Sequence, residues 1–282
     1  MLQPLVYLNG EFVKYSEAKI PVEDRSIQFG DSVYEVVRYY SGRPFRMDQH
    51  MRRMQRSAEG IEMPMPAVDG LISAANELVR RQEMSDCTVY VQVTRGVADR
   101  FHGLPDIPRQ SVIAIARPAE VVRPKPAISC ITVSDDRWAK PYMKTAMLLP
   151  NATAREHASR RGADDALLVR DGFLTEATAS NVFIVVGSKL VTPPLSNYIL
   201  PGITREAILE MAREAGIDCD ERPVPVDEMF RADGIFLTGT NSELPAVVRL
   251  DNHLVGDGSP PALFERVARM FDEAAMGVIA GR

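Results

Sequence analysis

Residues 137–151 read RWAKPYMKTAMLLPN, and Lys144 stands in the middle of this stretch. The chain has only six lysines among 33 basic residues, and Lys144 alone is followed at once by an apolar run. A lysine held among apolar groups loses hydration, so its pKa falls and its amine becomes a usable nucleophile. A Schiff-base lysine requires this property. The alternative is an ordinary lysine that extends its ammonium to solvent from a strand end.

Composition outside this stretch is that of a globular protein. The chain has 282 residues, of which 45% are hydrophobic and 25% are charged, and its length suggests about two domains. A net charge of −5 gives no basic footprint for nucleic acid. No apolar run is long enough to span a bilayer, so we expect no membrane partner.

The cysteines and the first four residues indicate the cellular compartment in which the protein is expected. Cys87, Cys130 and Cys219 are scattered and form no metal-ligand pattern. The start, Met1 to Pro4, lacks the basic and apolar regions of a signal peptide. We therefore expect a cytoplasmic protein that has no metal site.

Domain organisation follows from a proline-rich segment. Residues 117–126 read RPAEVVRPKP, with three prolines in ten residues, which indicates a stiff extended linker. Strand and helix patterns mix on both sides without strict alternation, which favours a mixed α/β class. The sequence predicts a small N-terminal α/β domain at 1–117, a linker at 118–126 and a larger domain at 127–282.

Local signals predict the main elements. Asn9-Gly10 lies between two apolar segments, 5–8 and 12–15, and indicates a two-residue hairpin turn. The sequence also predicts a polar loop at 22–31, a strand at 32–40, helices at 47–60 and 151–161 with Asp48 and Asn151 as N-caps, and a helix at 203–215.

Two segments are candidate anion sites. Pro201-Gly202-Ile203-Thr204 places a glycine and a threonine at a predicted helix start, where free N–H groups favour a phosphate. Thr238-Gly239-Thr240 runs from a predicted strand into small donors. Neither segment is a Walker or dinucleotide fingerprint, so an ordinary capped helix and an ordinary turn are the alternatives.

Candidate acids and cations lie elsewhere. Glu176 precedes small residues and a strand that looks buried, so it could keep a cofactor nitrogen protonated; a surface turn acid is the alternative. Arg100 and His102 would point the same way in an extended loop and could grip a substrate carboxylate; a solvated loop is the alternative. His50 shows no partner pattern and is assigned no role.

Together, these segments match what a pyridoxal phosphate enzyme requires: a Schiff-base lysine, a later carboxylate and two phosphate cradles. The chain also resembles the fold-type IV pyridoxal-phosphate aminotransferases over nearly its whole length, and within them the D-amino-acid branch. The stretches that carry the resemblance are Asp24-Arg25, Phe29 to Val36, His50 to Arg53, Gln92 to Gly96, Met143-Lys144-Thr145, Thr175-Glu176, Ser180 to Phe183 and Leu200 to Arg205.

The resemblance implies a role for each candidate residue. Lys144 would carry the Schiff base to pyridoxal 5'-phosphate, and Glu176 would pair with the pyridine nitrogen. Leu200 would pack on the ring, and Tyr90 would lie near the substrate side chain. The phosphate would be held by Arg53, Ile203, Thr204 and Thr240. The substrate carboxylate would be bound by Tyr34, Arg100 and His102, with the arginine and histidine reaching in from the neighbouring subunit of a homodimer.

Two features favour the D-specific branch over its relatives. They are the Arg100-Phe101-His102 motif, and Leu149 at a position where branched-chain aminotransferases typically carry tyrosine. The resemblance thus implies transamination of a D-amino acid of the D-alanine type with 2-oxoglutarate or pyruvate as acceptor. The departures are Ala177-Thr178-Ala179 for a glycine-serine-serine type run, Pro201 for lysine and Gly239 for serine.

Several alternatives share the cofactor. A branched-chain L-aminotransferase or an (R)-amine transaminase would use the same lysine on other donors. An aminodeoxychorismate lyase would release pyruvate without a second oxo acid, and Arg100 and His102 argue against it. A non-enzymatic dimer with a vestigial pocket would have lost Lys144 or Glu176, and both are present.

Overall fold

The computed structural model describes residues 4–280, which form two compact units. The first contains residues 4–121, 143–147 and 276–280, and the second contains 122–142 and 148–275. Residues 143–147, which the sequence placed within a domain at 127–282, pack with the first unit because Thr145 bridges Val33. The mixed α/β class is confirmed.

The first unit is an antiparallel sheet covered by helices. Its strands are β1 (Leu5–Leu8), β2 (Glu11–Lys14), β3 (Ser32–Tyr40), β4 (Arg43–Pro44), β5 (Cys87–Thr94) and β6 (Val112–Pro118), and its helices are α1 (Arg25–Phe29), α2 (Met47–Gly60) and α3 (Val68–Arg81). The strand order is β2-β1-β6-β5-β3-β4. Alternate side chains of β3 and β5 point into a core that α2 and α3 close with buried Met54 and Leu78.

Local predictions in this unit were confirmed in part. Asn9 and Gly10 both have positive φ (51° and 102°), as a two-residue hairpin turn requires, and α2 has the expected bounds. The predicted polar loop at 22–31 is wrong in its centre. There Asp24 accepts a hydrogen bond from Ser26 N and caps the short helix α1. Asp48 is not the cap of α2, because the helix begins at Met47 and Asp48 lies in its first turn.

The second unit is built on a larger mixed sheet. Its strands are β7 (Ala127–Ser134), β8 (Asp165–Arg170), β9 (Phe173–Ala177), β10 (Asn181–Val186), β11 (Lys189–Thr192), β12 (Cys219–Glu221), β13 (Gly234–Thr238), β14 (Ala246–Leu250) and β15 (His253–Leu254). Its helices are α4 (Leu149–Arg160), α5 (Ile203–Glu214), α6 (Val226–Phe230) and the part of α7 (Ala262–Ala280) up to residue 275. The strand order is β12-β11-β10-β13-β14-β7-β8-β9, and β15 pairs with β14.

Strand β10 is central to this sheet and is buried on both faces. On one face Phe183 stacks on Phe236, with ring centroids 5.1 Å apart, and on the other Val182 and Ile184 enter an aliphatic core. The predicted cap of α4 is wrong. The helix begins at Leu149, and the amide of Asn151 instead donates to the carbonyl of Thr178.

Candidate active site

Lys144 is fixed through its backbone to β3 and α2. Its carbonyl accepts from Tyr34 N at 3.0 Å, and its N–H donates to Ser57 Oγ at 2.9 Å. The half-buried side chain places Nζ over the ring of Tyr34, 4.5 Å from the centroid. The apolar run after Lys144 does not bury the amine as expected, since Leu149 is 76% exposed. The Tyr34 ring provides the aromatic surface instead.

The two tyrosines predicted at the substrate site lie together. The rings of Tyr34 and Tyr90 stack with centroids 5.3 Å apart. The Tyr90 hydroxyl donates to Gln92 Oε1, whose amide donates in turn to Ser32 Oγ. The stack follows from the register, because Tyr34 and Tyr90 lie on the same face of the adjacent strands β3 and β5.

A buried charge cluster lies one residue from Tyr34. The Glu35 carboxylate accepts from His50 Nδ1 at 2.7 Å and from Arg53 Nε at 2.6 Å. Burial alone would raise the pKa of Glu35, but Arg53 and His50 lower it well below its usual range. Burial lowers the pKa of His50, and the Glu35 carboxylate opposes that effect.

Sequence reasoning gave Arg53 a phosphate role and missed Glu35 and His50. One signal was available. His50 and Arg53 are three apart on α2 and share a face, and Glu35 lies at a position of β3 that must point to the core. The phosphate role of Arg53 stays a prediction.

Arg100 and His102 lie on an exposed loop and meet at one ring. The Arg100 guanidinium lies 5.5 Å from the centroid of Phe29, and the His102 ring contacts Phe29 edge-on at 5.8 Å. The expectation that the two side chains point the same way agrees with this geometry. Both are solvent-exposed in the single chain.

Glu176 lies buried on β9 in the second unit, so the alternative of a surface turn acid is wrong. Its Oε2 accepts from Asn181 Nδ2 at 3.0 Å and from Leu200 N at 3.1 Å, and its Oε1 contacts Arg137. Burial raises the pKa of Glu176 to about 7 although Arg137 lowers it. The Leu200 backbone therefore touches the carboxylate predicted to meet the pyridine nitrogen.

Arg137 joins two buried acids and was missed by sequence reasoning. Its Nε and Nη2 each lie 2.8 Å from the Asp135 carboxylate, and Nη2 also donates to the Tyr198 carbonyl. The Arg137 cation lowers the pKa of Asp135 to about 2 against the effect of burial. The sequence signal was an Asp-x-Arg pair directly after β7.

The predicted phosphate segments sit at the start of α5 and the end of β13. Gly202 precedes α5 without a side-chain cap, and Ile203 and Thr204 are buried in its first turn. The first N–H groups of the helix are therefore available to an anion. A Cβ on Gly202 would lie 1.9 Å from Asn181 Oδ1, so a side chain there would force Asn181 or the start of α5 to move.

Two of the departures from the expected motif, at Gly239 and at Thr178, involve contacts that the structure shows. A Cβ at Gly239 would lie 2.7 Å from Ser180 Oγ, so a serine there would require the Ser180 side chain to move. Thr178 donates its hydroxyl to Asp165 and does not replace the missing serine. The buried Thr238 hydroxyl, next to Gly239, has no hydrogen-bond partner in the part of the chain that the structure describes.

Metal and membrane sites are not found among the described residues. Within residues 4–280, no group of three or more His, Cys, Asp or Glu side chains is arranged to hold a metal ion. No helix in that range is both long and apolar enough to cross a membrane.

Comparison with known proteins identifies the family. The sequence model described as amino-transferase class IV matches residues 32–250. The chain belongs to the class IV aminotransferases. A D-alanine aminotransferase from Bacillus licheniformis is 36% identical over 268 residues, which cover 93% of this chain and 94% of that protein. One from Staphylococcus haemolyticus is 35% identical over 258 residues, 90% of this chain and 91% of that protein.

A solved structure supports the same family. The branched-chain amino acid aminotransferase from T.th., solved with pyridoxamine 5'-phosphate, superposes with a TM-score of 0.92 and 27% identity. The alignment covers 98% of this chain and 95% of that one. The expected fold type, enzyme class and cofactor are therefore confirmed: this class IV aminotransferase depends on pyridoxal phosphate.

The residues of the second unit fit that cofactor. The buried Glu176 carboxylate can accept a hydrogen bond from a protonated ring nitrogen. The uncapped start of α5 can hold a phosphate dianion. The Thr238 hydroxyl, buried and without a partner among residues 4–280, is the kind of orphaned donor that a bound ligand satisfies.

Proposed function

We propose that this class IV aminotransferase transfers the amino group of a D-amino acid of the D-alanine type to a 2-oxo acid such as 2-oxoglutarate or pyruvate. The observation that carries the proposal is the meeting of Arg100 and His102 on the ring of Phe29. A guanidinium and an imidazole held together suit a carboxylate, which every amino and oxo acid substrate carries. The D-alanine aminotransferases that cover 93% and 90% of this chain favour the same donor.

Lys144 is the residue to which we assign the proton transfers and the Schiff base. Pyridoxal phosphate, when bound, supplies an aldehyde that condenses with amines and a ring that withdraws electrons from Cα. Lys144 Nζ would take the Cα proton of the substrate and later return a proton to it. The Tyr34 ring limits the positions that Nζ can occupy.

The other assigned residues bind and orient. We assign to the Glu176 carboxylate the hydrogen bond from a protonated pyridine nitrogen. The donors of Asn181 and Leu200 fix the position of its Oε2. We assign phosphate binding to Arg53, Ile203, Thr204 and Thr240, and ring packing to Leu200. We assign binding of the substrate carboxylate to Tyr34, Arg100 and His102. We place Tyr90 near the substrate side chain.

A homodimer in which the carboxylate-binding loop reaches the neighbouring site is part of this proposal. Residues 22–27 and 101–107, which are joined through the Arg25 guanidinium, expose five large apolar side chains, more than a solvated surface usually presents in one place. They are Val22 (77%), Ile27 (61%), Phe101 (72%), Leu104 (50%) and Ile107 (84%). The three cysteines are free, which agrees with a reducing cytoplasm.

One alternative has support of its own. The branched-chain enzyme from T.th. shares the fold over nearly the whole chain, so an L-specific branched-chain activity is the second candidate. Such an enzyme would use L-leucine. An (R)-amine transaminase would accept a donor without a carboxylate, and a lyase would need no second oxo acid.

The test is a half-reaction on purified holoenzyme. The visible absorbance of the bound cofactor is recorded before and after separate additions of D-alanine, L-leucine and (R)-1-phenylethylamine. Conversion to the spectrum of the aminated cofactor with D-alanine alone supports the proposal. Conversion with L-leucine alone replaces it with the branched-chain activity, and conversion with the bare amine removes the need for a carboxylate site.

A further inference from the structure

The guanidinium of Arg25 holds the backbone of the loop that carries Arg100 and His102. Arg25 lies at the start of α1 and is only 4% exposed. Its Nη1 donates to the carbonyl of Phe101 at 2.7 Å and to that of Gly103 at 3.1 Å. These two carbonyls flank His102 in the chain, so one buried cation fixes the peptide on each side of it.

This loop has little other support. In the part of the chain that the structure describes, residues 99–108 make no hydrogen bond from one backbone group to another. Such a segment samples many conformations unless side chains restrain it. The two carbonyl contacts from Arg25 supply that restraint.

Arg25 is itself fixed in orientation. Asp31 Oδ2 accepts from Arg25 Nε and from Arg95 Nε, each at 2.8 Å. Arg95 also donates to the carbonyls of Ile61 and Glu62 at the end of α2. The Arg25 guanidinium is therefore anchored to a helix end and has little freedom to follow a moving loop.

Phe29 extends the restraint to the side chains of the loop. The Arg25 guanidinium lies 4.6 Å from the Phe29 ring centroid, and Arg100 and His102 contact the same ring. Arg25 and Phe29 both belong to α1, so this short helix contacts the loop at its backbone and at its two polar side chains.

We propose that Arg25 is a positioning residue that presents Arg100 and His102 to the substrate carboxylate. The inference rests on the function proposed above for that loop. Preorganised groups bind a carboxylate more tightly, because they do not lose conformational freedom on binding. Loss of Arg25 should therefore weaken the binding of substrates that carry a carboxylate and leave the proton transfer at Lys144 intact.

The first test compares Arg25→Gln with Arg52→Gln, which changes an exposed arginine on α2. We expect Arg25→Gln to raise the KM of the D-amino acid and of the oxo acid by about tenfold, with a smaller change in kcat. Arg25→Lys keeps the charge, so its KM values should lie between those of the wild type and those of Arg25→Gln. Equal KM values in the Gln variants, or a fall in kcat without a rise in KM, would overturn the inference.

A second measurement does not depend on activity. Crystal structures of the two Gln holoenzymes report on the loop directly, because Arg25 holds the carbonyl of Phe101. We expect the B-factors of residues 99–108, relative to the chain average, to rise about twofold in Arg25→Gln and to stay unchanged in Arg52→Gln. Unchanged relative B-factors in Arg25→Gln would mean that Arg25 does not restrain the loop.

Arg100→Ala separates this inference from the function on which it rests. If Arg100→Ala leaves KM unchanged, the carboxylate role of the loop and the inference both fail. If Arg100→Ala raises KM and Arg25→Gln does not, only the inference fails. If both raise KM, the double variant should show less than the summed effect, because Arg25 acts through Arg100.

Discussion

The guanidinium of Arg53 binds the carboxylate of Glu35 through two hydrogen bonds, with Nε 2.6 Å from Oε1 and Nη2 2.8 Å from Oε2. Both side chains are buried, and His50 binds the same carboxylate. The orientation of Arg53, the predicted phosphate ligand of the first unit, therefore depends on Glu35. If Arg53 binds the cofactor phosphate, its ability to do so depends on the hydrogen bonds with Glu35 that orient it.

Glu35→Gln should destabilise the protein and weaken its binding of the cofactor. Removing the charge leaves Arg53 buried without its anion, which costs about 3 kcal/mol of unfolding free energy in urea titrations. The control is Glu77→Gln, which also lies between two arginines, Arg80 and Arg81, but on the surface. That variant should change little. Equal losses in the two variants would contradict a structural role for the buried pair.

Lys144→Ala should abolish transamination. Turnover should fall by about four orders of magnitude, because the variant loses the group that moves the Cα proton, and the visible absorbance of lysine-bound cofactor should disappear. Lys140→Ala, which changes an exposed lysine four residues earlier, is the control and should keep both properties. A turnover near the wild-type value in Lys144→Ala would remove the mechanism proposed for this enzyme.

Gly202→Ala should weaken the binding of pyridoxal phosphate, although it removes no polar group. Its new methyl group would overlap Asn181 Oδ1 at 1.9 Å, so either Asn181 or the start of α5 must move. Asn181 also binds Glu176, so both candidate ends of the cofactor site are disturbed. We expect the Kd of the cofactor to rise about tenfold or more, measured by fluorescence titration of the apoenzyme.

The control for that variant is Gly70→Ala. Gly70 lies in α3, and a Cβ there would meet nothing within 4 Å. Alanine also favours a helix over glycine, so this variant should bind the cofactor as the wild type does. A Gly202→Ala enzyme with unchanged cofactor affinity would show that the start of α5 tolerates the methyl group and is not closely fitted to the phosphate.

Sequence reasoning succeeded where the determinants are local. The positive φ values that Asn9-Gly10 favours and the apolar face of α2 depend on neighbours in the chain, so the hairpin and the helix were predicted. Helix α1 was missed because it has only five residues, too few for a periodic pattern. Asn151 was misread as a cap because its partner, the Thr178 carbonyl, comes from a distant strand.

The site was predicted unevenly for the same reason. Motif residues such as Lys144 and Glu176 carry a family pattern. Arg137 carries none, and its contact with Glu176 exists only once β7 and β9 are assembled in one sheet. Buried arginines of this kind look like surface residues in a sequence, because their burial depends on an acid supplied by another strand.

The buried acid Glu176 should make the stability of the cofactor-free protein depend on pH. Its pKa is raised from an ordinary value of 4.5 to about 7, so between these values the folded state keeps a proton that the unfolded chain has released. The contribution of Glu176 to stability is then complete below about pH 4.5 and is lost as the pH rises through 7. The loss is about 3 kcal/mol.

Unfolding free energies of apo wild type and apo Glu176→Gln, measured from pH 4.5 to 8, isolate this contribution because glutamine binds no proton. The advantage of the wild type over the variant should shrink across that range. The matched comparison, wild type against Glu77→Gln, should stay flat, since the arginines beside Glu77 lower its pKa to about 2 and its titration falls below the range. Asp135, with a pKa of about 2, also titrates below it. A flat difference for Glu176→Gln would mean that Arg137 keeps Glu176 ionised throughout, and the carboxylate would then be charged before the cofactor binds.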